Sequence, residues 1–198
     1  MGYAEPIARL IQEFSRLPGI GEKTAERLTF HLLAQNREEA IRLADALKDL
    51  KDKVRNCSTC YNISEQDPCG LCSDAKRDKN LVCVVEQTKD LWAIEKSAGY
   101  RGSYHVLHGH LSPIDGVGPE NLTIGRLVDR VKKGGVTEVI LATNPTAEGD
   151  ATAFYVQKML ASTGVRITRI ARGLPAGGSF EYSSRSTVSD ALQGRKDF

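Results

Sequence analysis

Apolar residues recur at helical spacing through the first quarter of the chain. Ile7, Leu10, Ile11, Phe14 and Leu17 form one stripe, with Glu13 and Arg16 outside it. Pro18-Gly19-Ile20-Gly21 breaks that stripe. A second helical stretch carries Ala25, Leu28, Leu32 and Leu33, and a third, from about Arg37 to Val54, turns Ile41, Ala44, Leu47 and Leu50 inward. From Leu81 the pattern changes to short apolar runs alternating with helical stretches. It predicts strands over 81–85, 104–107, 138–143 and 166–171, and helices over 89–98, 122–133 and 151–162. Such alternation implies a largely parallel sheet with helices on its faces. Residues 173–198 are rich in Gly and Ser, with one short helix near 187–192. No internal repeat is present.

Composition narrows the class. With 198 residues and 40% apolar content the chain can bury a sizeable core. A charged fraction of 26% and a net charge of +2 exclude a highly charged disordered chain. No run of 18 apolar residues exists, so no transmembrane helix is expected. The first thirteen residues carry Glu5 and Glu13 and lack an apolar core with a cleavage site, which argues against a signal peptide and for a cytoplasmic protein. The small basic excess lies mostly in 162–198, with 6 Lys/Arg against 3 Asp/Glu. A nucleic-acid binder built on charge alone would show more. Any such contact must be local and geometric, or summed over several copies.

Three constellations carry candidate chemistry. In the first, Gly19 and Gly21 let the backbone turn tightly where the next helix begins, so unpaired N–H groups point outward at a positive helix end. That geometry suits a phosphate, and Lys23 and Arg27, four apart, share the helical face beside it. The segment resembles a helix-hairpin-helix, which grips the DNA backbone without reading bases. An ordinary helix–helix turn with a C-cap glycine is the plain alternative. In the second, Cys57-x-x-Cys60 and Cys69-x-x-Cys72 can enclose one tetrahedral Zn2+. Disulfides are disfavoured in a reducing compartment, and a redox CxxC has no need of two copies. Four protein ligands leave no open position, so this zinc is structural. Tyr61, Ile63 and Leu71 are nearly all the apolar content of the segment, so metal supplies its folding energy. Cys83 lies in an apolar run and reads as a small buried hydrophobe.

In the third, Glu86 ends the first predicted strand, while Asn144, Thr146, Glu148 and Asp150 follow a later one. Ligands in open parallel sheets bind outside such strand ends. The arrangement resembles the Toprim domain. That resemblance implies a strand-end glutamate as general acid/base and an Asp-x-Asp-x-Glu run on Mg2+, but here the run reads Asn144-x-Thr146-x-Glu148. An amide and a hydroxyl replace two anionic oxygens, leaving a weak or absent Mg2+ site rather than a phosphoryl-transfer cleft. Acidic residues on a solvated loop are the alternative. His105, His108 and His110 do not converge if they lie on one strand, so they are not read as a metal site.

Taken in order, these motifs resemble the RecR family of bacterial recombination mediators, over Pro6 to Arg195. The segments that carry it are 17–30, 57–72, 100–109, 111–116, 142–153 and 172–178, and the missing aspartates are themselves similar to that family. The resemblance implies an α+β multi-module fold: a helix-hairpin-helix DNA-binding domain over 1–55, a four-cysteine zinc finger over 56–78, an α/β Toprim domain with a mainly parallel sheet over 79–172, and a C-terminal extension over 173–198. It implies a protein without enzymatic activity that binds single- and double-stranded DNA regardless of sequence. It further implies action with RecO, and in some settings RecF, to help RecA load on single-stranded DNA at gaps. Dimers, ring-like tetramers and a place at the nucleoid belong to the same expectation, and no membrane partner does. An acidic patch of Glu86, Glu148 and Asp150 is then a docking site for RecO. Two other classes compete: a Mg2+-dependent Toprim nuclease using Glu86, Glu148 and Asp150, and a zinc-stabilised scaffold that binds protein only.

Overall fold

A computed structural model describes residues 2–195; Met1, the first residue of the expected helical domain, and positions 196–198 of the expected C-terminal extension lie outside the described residues. The chain divides after Val54 into two compact units. The first holds α1 (Glu5–Ser15), α2 (Glu22–Ala34) and α3 (Arg37–Lys53). Pro6 occupies the first turn of α1, where its missing N–H leaves no bond unmade. The Asn36 side chain caps α3 by accepting from the Glu39 N–H at 2.9 Å. Helices α1 and α2 pack together, yet among the described residues of this unit only Ala25 and Thr29 are fully buried.

The expectation that α3 turns its stripe inward is corrected here. Ile41, Ala44, Leu47 and Leu50 are all exposed. A cleft of about 350 Å³ separates the helices, lined by Ile7, Leu10, Phe14, Leu32, Leu43 and Leu47. Three short helices enclose little volume relative to their surface. Periodicity identifies which face is apolar, not whether anything covers it.

The second unit opens with a two-stranded antiparallel ribbon, β1 (Arg55–Asn56) and β2 (Ile63–Ser64), followed by the single turn α4 (Gly70–Ser73). A four-stranded sheet follows: β3 (Asp78–Val85), β4 (Gly102–Val106), β5 (Glu138–Leu141) and β6 (Arg166–Arg169), in the order β4-β3-β5-β6 and parallel throughout. The helices are α5 (Thr88–Lys96), α6 (Ile124–Lys132), α7 (Ala147–Leu160) and α8 (Arg185–Gln193). Side chains of β3 alternate between two cores. Val82 and Val84 join Val139 and Leu141 of β5 under Leu127 of α6 and Val156 of α7. Cys83 and Val85 join Tyr104 and Val106 of β4 under Leu91 of α5. Each such side chain taken out of water contributes about 1.5–3 kcal/mol, before conformational entropy is subtracted. Among the described residues no helix is long and apolar enough to cross a membrane.

Helix α7 begins four residues before the expected position. Thr146 explains it: its hydroxyl accepts from the Gly149 N–H at 3.0 Å and starts the helix there. Glu148 and Asp150 therefore lie in the first turn of α7, where the helix dipole favours acids, and not on a loop.

Candidate functional site

The ribbon turn carries Cys57 and Cys60, while Cys69 is the N-cap of α4 and Cys72 lies within it. Their four sulfurs all lie within 4.8 Å of one another, with Cys60 Sγ 3.6 Å from Cys69 Sγ. Tetrahedral zinc with bonds of about 2.3 Å sets sulfurs about 3.8 Å apart, so the residues fit that ion. Local backbone makes the site. Tyr61 takes a left-handed φ of 63°, and its N–H donates to the Cys57 carbonyl at 2.9 Å, closing the first turn. The Cys69 N–H donates to Cys57 Sγ at 3.3 Å and the Asn62 N–H to Cys60 Sγ at 3.5 Å. Hydrogen bonding to the Cys60 thiol draws the Cys72 thiol down to about 6, so the cluster readily supplies a thiolate. Cys83 stays apart in β3, where burial pushes its thiol up to about 12.

At the turn between α1 and α2, Gly19 takes φ 79°, the left-handed conformation that favours glycine. Gly21 has an ordinary φ of −81° and is the N-cap of α2, with no side chain capping the helix. Open space surrounds both glycines where a Cβ would stand, so the first N–H groups of α2 are approachable. Lys23 and Arg27 project exposed from α2, and neither forms an ion pair among the described residues. Glu22 lies in the same first turn, and Glu26 accepts from the Tyr3 hydroxyl.

At the strand ends, Glu86 is buried and surrounded by donors. One carboxylate oxygen accepts from the Asn144 N–H at 2.7 Å; the other accepts from Asn144 Nδ2 at 2.7 Å and lies 3.3 Å from His110 Nδ1. Asn144, standing where the Toprim pattern has an aspartate, thus turns its amide onto the glutamate. Asp150 is clasped by Arg169 and Arg172, with the Arg172 Nη1 bond at 3.0 Å. Its carboxyl is held down to about 2, chiefly by Arg172. The expected acidic patch is therefore corrected in its charge: Glu86 is enclosed, Asp150 sits with two cations, and Glu148 is the exposed acid.

The sequence missed four residues of this cluster. His110 was considered only as a metal ligand. Gly149 is required by close approach, since a Cβ there would stand 2.1 Å from the Asn144 carbonyl oxygen and 2.9 Å from Glu86 Oε1. Arg169 and Arg172 meet Asp150 from 19 and 22 positions away, a pairing without a local signal. The three histidines do not converge: His105 is buried with Nε2 3.0 Å from the Thr123 hydroxyl, while His110 faces Glu86. Among the described residues, the group able to hold a metal is the four cysteines.

Family models match in three stretches: the RecR helix-hairpin-helix over residues 7–51, the RecR four-cysteine zinc finger domain over 54–74, and the Toprim domain over 80–171. The chain is similar to the protein named recombination protein RecR of Heliobacterium modesticaldum, at 53% identity over 98% of each chain. It is 51% identical to the protein of the same name in Desulforudis audaxviator over 100% of each chain, and 51% identical to that of Koribacter versatilis over 98% of each.

Proposed function

This chain belongs to the RecR family of recombination proteins, and from that premise we propose that it is a DNA-binding mediator without enzymatic activity. In this reading it works with RecO, and in some settings RecF, to promote RecA loading on single-stranded DNA at gaps, in the cytoplasm at the nucleoid. The observation that carries the non-enzymatic half is Glu86. A Toprim glutamate acts by exchanging a proton or meeting a metal, and this one is already engaged by both donors of Asn144. Glu148 and the doubly paired Asp150 do not make up the hard anionic oxygen set that Mg2+ needs, so its site is weak or absent. One structural Zn2+ per chain, on Cys57, Cys60, Cys69 and Cys72, supplies the folding energy of the finger.

DNA is held at the α1–α2 turn. The N–H groups behind Gly19 and Gly21 face a phosphate, and Lys23 and Arg27 neutralise its neighbours, without reading sequence. Two cations per chain give weak binding, and copies acting together multiply it. The open stripe of α3 supports self-association into a dimer or ring-like tetramer, because exposed apolar surface of that extent gains by being covered. Glu148, exposed in the first turn of α7, offers RecO a steering charge.

Lys23→Glu combined with Arg27→Glu tests the reading. DNA affinity should fall for every sequence, and the slope of log K against log salt should flatten by about 1.4–1.8 for two lost phosphate contacts. Unchanged affinity at low salt sinks the DNA site. Metal-dependent cleavage that disappears in Glu86→Gln restores the nuclease.

A further inference from the structure

Helix α6 carries a cation that no carboxylate answers. The Arg130 guanidinium is largely enclosed, donating from Nη1 to the Tyr104 carbonyl at 2.6 Å and from Nη2 to Ser103 Oγ at 2.8 Å. Both partners are neutral, and among the described residues Arg130 forms no ion pair within 4 Å. A charge withdrawn from water without a counter-charge is strongly unfavourable. Arg130 lines a cavity of about 380 Å³ together with Ser58, Thr59 and Tyr61, the turn that holds Cys57 and Cys60. Arg126, Asp129 and Lys133 lie at the same cavity and are exposed to solvent. Burial favours loss of the Arg130 charge, and the groups that oppose this are foremost the sulfurs of Cys72 and Cys60. Lys79 of β3 donates from Nζ to the carbonyls of Cys72 and Asp74, each at 2.8 Å.

The charge of the metal site explains both. Four thiolates around one Zn2+ leave a net double negative charge, and three of the four cysteines are fully buried. We propose that Arg130 and Lys79 are the outer-sphere counter-cations of the four-cysteine zinc site, clamping the finger onto the sheet domain so that metal binding and docking of the finger are one equilibrium. This rests on the zinc reading above. Arg130 reaches the site from the sheet domain, since Ser103 and Tyr104 belong to β4, whose Val106 N–H also donates to the Cys60 carbonyl at 2.8 Å. Zinc gathers the four sulfurs into one anionic group facing Arg130, and without the ion nothing holds that group together. Both residues are positioning residues: neither touches the metal.

The test uses the full chain, with zinc affinity read by competition against a chromogenic chelator and stability read with and without zinc. Arg130→Met should weaken zinc binding by about 10–100-fold, the usual effect of removing an outer-sphere partner. Arg130→Lys, which keeps the charge, should recover most of that loss, and Lys79→Met should show a smaller loss. The inference is overturned if Arg130→Met binds zinc as wild type does, if Arg130→Lys is as weak as Arg130→Met, or if Arg130→Met destabilises the zinc-free and zinc-bound proteins equally. Should Arg130→Met not fold, unchanged zinc affinity in Lys79→Met overturns it instead. Wild-type protein that takes up no zinc overturns the zinc reading itself, and the inference with it.

Discussion

Helix α3 leaves Leu47 and Leu50 each 58% exposed, whereas α6 buries Leu127 completely and holds Val128 and Val131 at 6%. Both helices carry an apolar stripe at the same spacing, so local sequence does not separate them. What differs is the cover. Helix α6 lies on a parallel sheet whose strand β3 supplies Val82 and Val84, and α7 closes the same core from the side with Val156 and Leu160. Within its own unit α3 faces α1 and α2 across an open cleft that residues of all three helices line. The second unit thus holds its apolar residues in a core of its own. The first presents an exposed apolar face and a turn whose polar groups are also left open. In the reading proposed above, both kinds of openness serve assembly on DNA.

The largest effect should come from cutting into the covered helix. Leu127→Ala is expected to cost about 2–5 kcal/mol of unfolding free energy, the range for a large-to-small change in a packed core. Leu47→Ala, measured at dilution, should stay within about 0.5 kcal/mol of wild type, as surface changes do. The same Leu47→Ala should lower the mass seen by light scattering at higher concentration. Equal destabilisation by the two substitutions in chemical denaturation would break the contrast, because it would mean that α3 is covered within one chain.

Two glycines sharpen the comparison further. A methyl group at Gly149 meets the Asn144 carbonyl, which accepts from the Thr146 N–H at 2.8 Å, and the Glu86 carboxylate, which the Asn144 N–H holds at 2.7 Å. Gly149→Ala should therefore cost about 1–3 kcal/mol, as overpacking of a closed site does. Gly21 has open space around it and an ordinary backbone, and it stands at a helix N-cap where serine is preferred. Gly21→Ser should fold at least as well as wild type by thermal melting. A destabilised Gly21→Ser protein would show that the turn is less open than its geometry indicates.

How much of this was legible in the sequence varies with the range of the interaction. The turn at 18–21, the cysteine pairs and the strand-end glutamate were legible because each is a short pattern with a local cause. The cover over α3 was not, since exposure depends on what lies opposite and not on the stripe itself. The start of α7 was missed because Thr146 was weighed as a lost metal ligand, and its hydroxyl instead caps the helix. Strands β1 and β2 are two residues each, too short for any periodicity. Arg130 carries no local signal in the sequence, since its partners Ser103 and Tyr104 lie 27 and 26 positions away in β4.

The smallest effect concerns how each unit treats its charges. Lys23 and Arg27 are left open in the first unit, while Asp150 in the second is closed by Arg169 and Arg172. The arginines hold the Asp150 carboxyl at about 2, against an ordinary value of 3.8. A folded value below the unfolded one means that this pairing stabilises the protein above about pH 4 and that the contribution is lost as pH falls toward 2. Just over a third of the Asp150 side chain is exposed, so solvent screens the pair and its effect is modest. Asp150→Asn should melt slightly below wild type between pH 5 and pH 7, and the gap should close as the pH is lowered below about 4. Thiolate ligands protonate over acidic pH in both proteins alike, so the difference between them isolates the carboxylate. Raised salt should narrow the same gap at neutral pH. A gap that stays constant down to about pH 2 would assign the loss to packing in the first turn of α7, and Asp150 would then be as open electrostatically as Lys23 and Arg27.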